Sequence, residues 1–263
     1  MPDWIENPLG KYYLYFADHR GTYIRLAYAD ELTGLWRMRA GGGGSLKLKN
    51  SFFPTTCPPC SLALGTSAAL YAHIASPELH VDDERQQIVM YIQGRGAREQ
   101  LTRLALSRDG VNFEGSPEVL GRPYFRVIEH GDYHYALSMP GYMYRPQDGL
   151  SDFQEGPRFV NDNMSHNALL IRENTLHVFW SQAGHAPERI LLTKIDMNDE
   201  WVHWQESVAL GQEQNGRGQN LRLRPRGEGI SMSESISFET LRFLKKSARS
   251  TCSPLLRASM DWQ

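Results

Sequence analysis

Repetition constrains this chain more than any other feature. Four short runs rich in aromatic and β-branched residues recur along it: Lys11–Asp18 (KYYLYFAD), Gln87–Gly94 (QIVMYIQG), Asp132–Met139 (DYHYALSM) and Thr175–Gln182 (TLHVFWSQ). Such side chains suit a pleated, half-buried surface, so each run is expected to be a core strand. The last two intervals between starts are 45 and 43 residues; the first is 76 and holds an insertion. Second strands are expected at Tyr23–Ala29, Leu101–Ser107, Tyr142–Arg145 and Arg189–Ile195. Short outer strands follow at Leu35–Trp36, Asn112–Phe113, Asp152–Phe153 and Trp201–Trp204, and inner strands precede three of the runs, at Pro77–Val81, Tyr124–Ile128 and Asn167–Ile171.

Four strands repeating every ~40–50 residues and joined by tight turns such as Arg108-Asp109-Gly110 are the mark of a propeller blade. A β-sandwich with strands of similar length is the alternative; the recurring order of strand, charged hairpin and aromatic strand favours blades. The blades fall near 1–38, 73–115, 121–155 and 164–206 of a propeller spanning 1–235. Residues 39–72 and 207–237 read as surface connections, and 236–263 as an aberrant tail, basic and Ser-rich, with Phe238–Ser247 a short helix at most.

Composition narrows the partners. Lys and Arg total 28 against 30 Asp and Glu, a formal charge of −2, which gives no reason to expect a nucleic acid or an anionic membrane. No apolar run approaches the ~18–20 residues of a membrane helix. The start, Met-Pro-Asp-Trp-Ile-Glu-Asn-Pro, lacks the basic and apolar regions of a signal peptide, so cytoplasm is the default location. Of three cysteines, Cys57 and Cys60 form Cys-Pro-Pro-Cys without a helix start or a second pair, so they read as a loop pair, not a redox or zinc site. No cofactor or metal is expected.

Several motifs carry a resemblance. Ala75-Ser76-Pro77-Glu78-Leu79-His80 resembles the Ala-Pro-Asp motif of glycoside hydrolase family 43, and Lys11–Leu14, Ile24–Ala29 and Ser107–Phe113 resemble that superfamily's hairpins. The likeness covers about residues 1–206 and is similar to an uncharacterised bacterial branch. It implies an all-β fold, a five-bladed β-propeller of four-stranded antiparallel blades whose last blade is disrupted, with a carbohydrate as ligand or substrate. The alternatives are a non-catalytic carbohydrate-binding or sensing propeller and a protein-interaction propeller.

In such a fold the ligand face collects the inner-strand starts and the turns between second and third strands. That places Glu78, Arg126 and His166 there, together with Asp18, His19 and Arg20, the Gly94–Gly96 and Pro140-Gly141 turns, and His185 and Glu188, with Trp180 nearby. The resemblance implies inverting chemistry, in which an acid and a base stand ~6.5–9.5 Å apart with water between. A third carboxylate tunes the acid. Carried over, the tuning group falls on Glu78, the acid on Gly121, which cannot donate a proton, and the base near Asp3. The resemblance sets the acid in a Glu-Gly-Pro triplet, which here reads Gly121-Arg122-Pro123; the substitute acids are Glu129, which reads better as a solvated hairpin residue, and Glu155 of Glu155-Gly156-Pro157, which copies the triplet but lies late in its blade. His19, His73, His80, His166 and His185 could bond a sugar or hold a metal, though a lone histidine more often serves structure and no pair has metal-ligand spacing.

The two ends look irregular. The first repeat has little room for an inner strand before Lys11. Codons chosen for Ile236–Met260 and read two nucleotides out of frame spell His-Gln-Leu-Arg-Asp-Pro-Ala-Ile-Phe-Glu-Glu and then Val-Tyr-Leu-Leu, as a fifth blade would. The expectation is a frame shift near 228–235 and, with both closing pieces missing, open sheet edges and marginal stability.

Overall fold

A computed structural model describes residues 1–17, 23–39, 47–49, 74–95, 99–146, 148–187, 189–198, 201, 204 and 206–207. The chain divides into two compact units, and the described strands of the first lie within Met1–Asp162 and those of the second within Asn163–Ser233. The fold is all-β, and no α-helix occurs among the described residues.

The first unit holds three sheets. One is β1 (Tyr12–Ala17), β2 (Ile24–Ala29) and β3 (Arg37–Met38) in that order. The next contains β4 (Lys47–Lys49), β5 (Ile74–Asp82), β6 (Gln87–Arg95), β7 (Gln100–Ser107) and β8 (Asn112–Gly115), ordered β4-β8-β7-β6-β5. The third runs β9 (Arg126–His130), β10 (Tyr133–Ser138), β11 (Tyr142–Arg145) and β12 (Gln154–Arg158). In the second unit, β13 (Met164–Arg172), β14 (Thr175–Gln182), β15 (Ile190–Asp196) and β16 (Glu206–Ser207) form one antiparallel sheet in chain order.

Period-two alternation explains how the sheets of the first unit stack. Ile88, Met90 and Ile92 on β6 pack with Tyr13, Tyr15, Ile24 and Leu26 of the first sheet. Val89 and Tyr91, one residue out of phase, pack with Phe125, Val127, Ala136 and Tyr144 of the third. β6 is therefore buried on both faces, which is why QIVMYIQG reads as an almost unbroken apolar run. Tyr15 ties the first two sheets together by donating its hydroxyl to the Gly110 carbonyl at 2.7 Å. Gly110 lies at φ +71, and a Cβ there would stand 2.9 Å from that hydroxyl, so the β7–β8 turn requires glycine twice over. Asp109 braces the turn by accepting from the Val111 and Asn112 amides at 2.8 and 2.7 Å.

Three sequence expectations change. The aromatic pairs read as outer strands lie before them: β3, β12 and β16 begin at Arg37, Gln154 and Glu206. Their rings pack instead of joining a ladder, as where Phe153 lies tilted against Phe125 with centroids 5.3 Å apart. Residues 39–72 are more than a connection, because β4 pairs in parallel with β8 and adds a fifth strand to its sheet. The first sheet has three strands, and the described residues before β1 include no inner strand. The Cys-Pro-Pro-Cys segment and the 236–263 tail lie outside the described residues.

Candidate functional site

The two inner strands β5 and β9 build the site in the first unit. Both start irregularly. Ser76 and Tyr124 adopt left-handed backbone (φ 50 and 65), and β5 carries a bulge between Ala75 and Glu78. Strain of this kind at strand starts re-aims the side chains that follow. Two residues after each left-handed position stand Glu78 and Arg126. Each also lies four residues before the end of its strand's pairing across the hairpin, at Asp82 and His130. Glu78 and Arg126 thus occupy the same place in consecutive repeats.

They face one another. Arg126 Nε lies 3.7 Å from Glu78 Oε2, with side-chain exposures of 7% and 1%. Arg126 Nη1 also donates to the Phe125 carbonyl at 2.9 Å. His80 Nε2 approaches Glu78 Oε1 at 3.3 Å, and its ring meets Tyr91 edge-on at 5.8 Å. Tyr91 donates to the Gly149 carbonyl. Burial pushes the Tyr91 phenol up, and the nearby Glu78 charge raises it further, so it stays a neutral donor. The cluster offers a buried anion, a buried cation, an imidazole and a phenol in one seam.

The turn geometry expected of blades holds inside individual sheets. The Met139 amide, in the β10–β11 turn, donates to Pro123 just before β9 at 2.9 Å, and the Ala183 amide, in the β14–β15 turn, donates to Asn163 just before β13 at 2.8 Å. Turns between second and third strands therefore return to the inner-strand start.

Gly121 is closed to an acid in a second sense. A Cβ on it would stand 2.8 Å from the Tyr144 ring and 2.9 Å from that of Phe125. Tyr144 and Phe125 are packed core residues, their centroids 4.9 Å apart. The Gly121 carbonyl is committed to the Thr102 amide at 2.9 Å.

The other candidates scatter. Glu155 stands on the outer strand β12, where Arg122 Nε reaches it at 3.0 Å and Tyr144 donates its hydroxyl. Burial alone would raise the Glu155 carboxyl; the bonds from Tyr144 and Arg122 outweigh it and hold it below the usual range. Arg122 also covers the Tyr142 ring at 4.3 Å. Glu129 pairs with His134 at 3.2 Å at the exposed end of β9, and that hydrogen bond lowers its carboxyl. Asp3 is exposed, in a turn whose next residue, Trp4, donates to Asp83 at 2.9 Å. That bond sets the turn beside the β5–β6 hairpin, the opposite end of β5 from its bulge.

His166 lies on β13 of the second unit and His185 in its β14–β15 turn, at the same end of one sheet. Asp18, His19, Arg20, His73, Gly96 and Glu188 lie outside the described residues. Among the described residues no cluster of three His, Cys, Asp or Glu side chains could hold a metal. Sequence reading named Glu78 and Arg126 without pairing them and passed over Asn167, an amide that precedes the apolar stretch of β13.

No protein family definition matches the chain. The uncharacterized protein R118 of Acanthamoeba polyphaga mimivirus is 28% identical over 231 residues, covering 77% of this chain and 62% of that protein. The chain thus spans less than two thirds of this relative's length. The relative is viral, so the expected bacterial affiliation gains no support from it. Among solved structures, the exo-β-1,3-galactanase of Clostridium thermocellum superposes with a TM-score of 0.50 at 14% identity, over 74% of this chain and 45% of that one. A thermostable family 43 glycoside hydrolase gives 0.45 at 13% identity, over 78% and 75%. The likeness to family 43 holds at the level of the fold.

Proposed function

We propose that this chain, which carries the fold of family 43 glycoside hydrolases, is a five-bladed propeller that binds a glycan where β5 and β9 begin and does not hydrolyse it by the family's route. The observation that carries this reading is Gly121. Inversion requires a proton donor held ~6.5–9.5 Å from a base. The position that the motif assigns to the donor has no acid, and packed rings fill the space one would need. Glu78, the counterpart of the tuning carboxylate, lies against Arg126 and His80. It has no acid at residue 121 to tune.

Binding asks less of the same residues. Sugar hydroxyls need fixed donors and acceptors set among aromatic rings. Glu78 accepts, Arg126 donates, and His80 can do either according to its tautomer. The strained starts of β5 and β9 hold these groups on rigid strands. The galactanase that shares the fold acts on a glycan, which supports a carbohydrate as the ligand class. The repeat length and the four described sheets support a blade-by-blade build, and the number five is taken from the resemblance to family 43.

The test combines affinity electrophoresis in gels containing arabinan, xylan or β-1,3-galactan with 4-nitrophenyl arabinoside and xyloside reporters. Retardation in at least one gel with no reporter release is expected. Turnover that Glu78→Gln abolishes would replace this reading with hydrolysis, and absence of both retardation and turnover would remove the carbohydrate altogether.

A further inference from the structure

We propose a second polyol-binding position in the second unit, centred on Asn167. This residue is 9% exposed, and both ends of its amide, Oδ1 and Nδ2, are buried with no hydrogen-bond partner among the described residues. Burying an amide unbonded is costly, and native folds keep such groups where something completes them.

The surroundings say what that something is. Asn167 lies directly across the β13–β14 ladder from Trp180, next to a bulge between Met164 and Asn167. Cross-strand partners share a face, so the amide and the indole stand side by side. The Trp180 Nε1–H is already committed to Thr193 Oγ1 at 3.1 Å, which fixes the ring and leaves its hydrocarbon body as the contact it offers. His185 closes the same end of the sheet in the β14–β15 turn, and its Nδ1 is likewise buried without a partner among the described residues. By register the face carrying Asn167 continues through Leu169, Val178, Leu191 and Thr193. No carboxylate or guanidinium appears among them.

An amide presents a donor beside an acceptor, the complement of two adjacent hydroxyls, each of which both gives and takes a hydrogen bond. With an aromatic ring beside it and no charged residue among its paired neighbours on that face, the fitting ligand is a neutral sugar; Arg189, two residues before Leu191, is exposed beyond the end of the ladder. This inference rests on the glycan reading for its ligand class, but it concerns different residues in a different unit.

The test pairs Asn167→Leu, nearly the same size, with the wild-type chain. In the arabinan, xylan and β-1,3-galactan gels the variant is expected to lose about tenfold in apparent affinity. It should also melt at or above the wild-type temperature, since an apolar side chain relieves an unbonded amide. In wild type, the Asn167 side-chain NH2 resonances are expected to shift on titration with L-arabinose, D-xylose or D-galactose and not with D-glucuronate. That readout stands even if the variant misfolds. Undiminished retention with a lowered melting temperature, or NH2 resonances indifferent to every sugar while wild type is retarded, would overturn the position and leave a trapped water as the amide's partner. Failure of wild type to be retarded in any gel would overturn this inference and the glycan reading together.

Discussion

Two of the carboxylate–arginine pairs in the first unit differ in almost everything but their chemistry. Glu78 and Arg126 join two inner strands and are 1% and 7% exposed; Glu155 and Arg122 sit at an outer strand and are 41% and 43% exposed. The exposed pair is the closer, at 3.0 Å against 3.7 Å. Distance misleads here. Water screens the outer pair, and two long side chains lose freedom to hold it, so such a pair contributes little. The inner pair has no water to fall back on, and removing one partner strands a buried charge. The lesson extends to function. Glu155-Gly156-Pro157 reproduces the family triplet in letters, yet it lies on a surface strand. Glu78, whose own motif is imperfect, lies in the seam.

The largest effect should come from breaking the inner pair. Arg126→Ala is expected to destabilise the chain by ~3–5 kcal/mol in urea unfolding. The double change Glu78→Met with Arg126→Met should recover most of that, because no charge is then stranded. Equal losses in single and double variants would show that packing, not charge, sets the cost.

Next comes Gly121→Glu, which restores the family's letter. It is expected to cost ~1–3 kcal/mol by driving Tyr144 and Phe125 apart, and to release no 4-nitrophenol from either reporter. Reporter hydrolysis by this variant would mean that the third sheet yields where the packing says it cannot.

Acid sharpens the comparison further. Burial alone would raise Asp109, but its bonds from Asn112, Val111 and Ser107 outweigh that and hold it low; Glu129 and Glu155 are also held low by their partners. A carboxyl lowered by folding takes up its proton more readily in the unfolded chain. Its stabilisation is therefore complete above the unfolded value, near pH 4, and is lost as pH falls through the folded value. Asp109→Asn should flatten the acid limb of the stability curve more than Glu155→Gln does, as read from unfolding midpoints between pH 6 and pH 3. At neutral pH the smallest change expected is Glu155→Gln, within ~1 kcal/mol of wild type.

How much of this the sequence disclosed depends on how local the cause was. Thr175–Gln182 and Tyr142–Arg145 are strands with the bounds read from their letters, because alternating large side chains and a tight turn decide them within a few residues. β4 was not legible. Lys47–Lys49 carries no pattern, and its partner β8 lies more than sixty residues on. Asn112–Phe113 does open β8, but the other three outer strands were misplaced because an aromatic residue satisfies either a ladder or a core, and only the neighbouring sheet decides which. The site was legible as names and not as a relation: Glu78 and Arg126 each stood out, but that they touch depends on how two sheets stack. Asn167 was hidden for the opposite reason, since nothing in a strand's letters says whether an amide's bonds are met.

The matched positions of Glu78 and Arg126 bear on how such a molecule could have been put together. In a freshly duplicated blade, equivalent residues are identical, so two glutamates or two arginines would meet in the seam and repel. Opposite charges at equivalent positions give each repeat an address: the glutamate-bearing blade fits beside the arginine-bearing one and resists a copy of itself. Ancestry by duplication would then have left a chain whose repeats agree in shape and must disagree in charge, and whose blades can be shuffled in the gene only at the cost of the order in which they assemble.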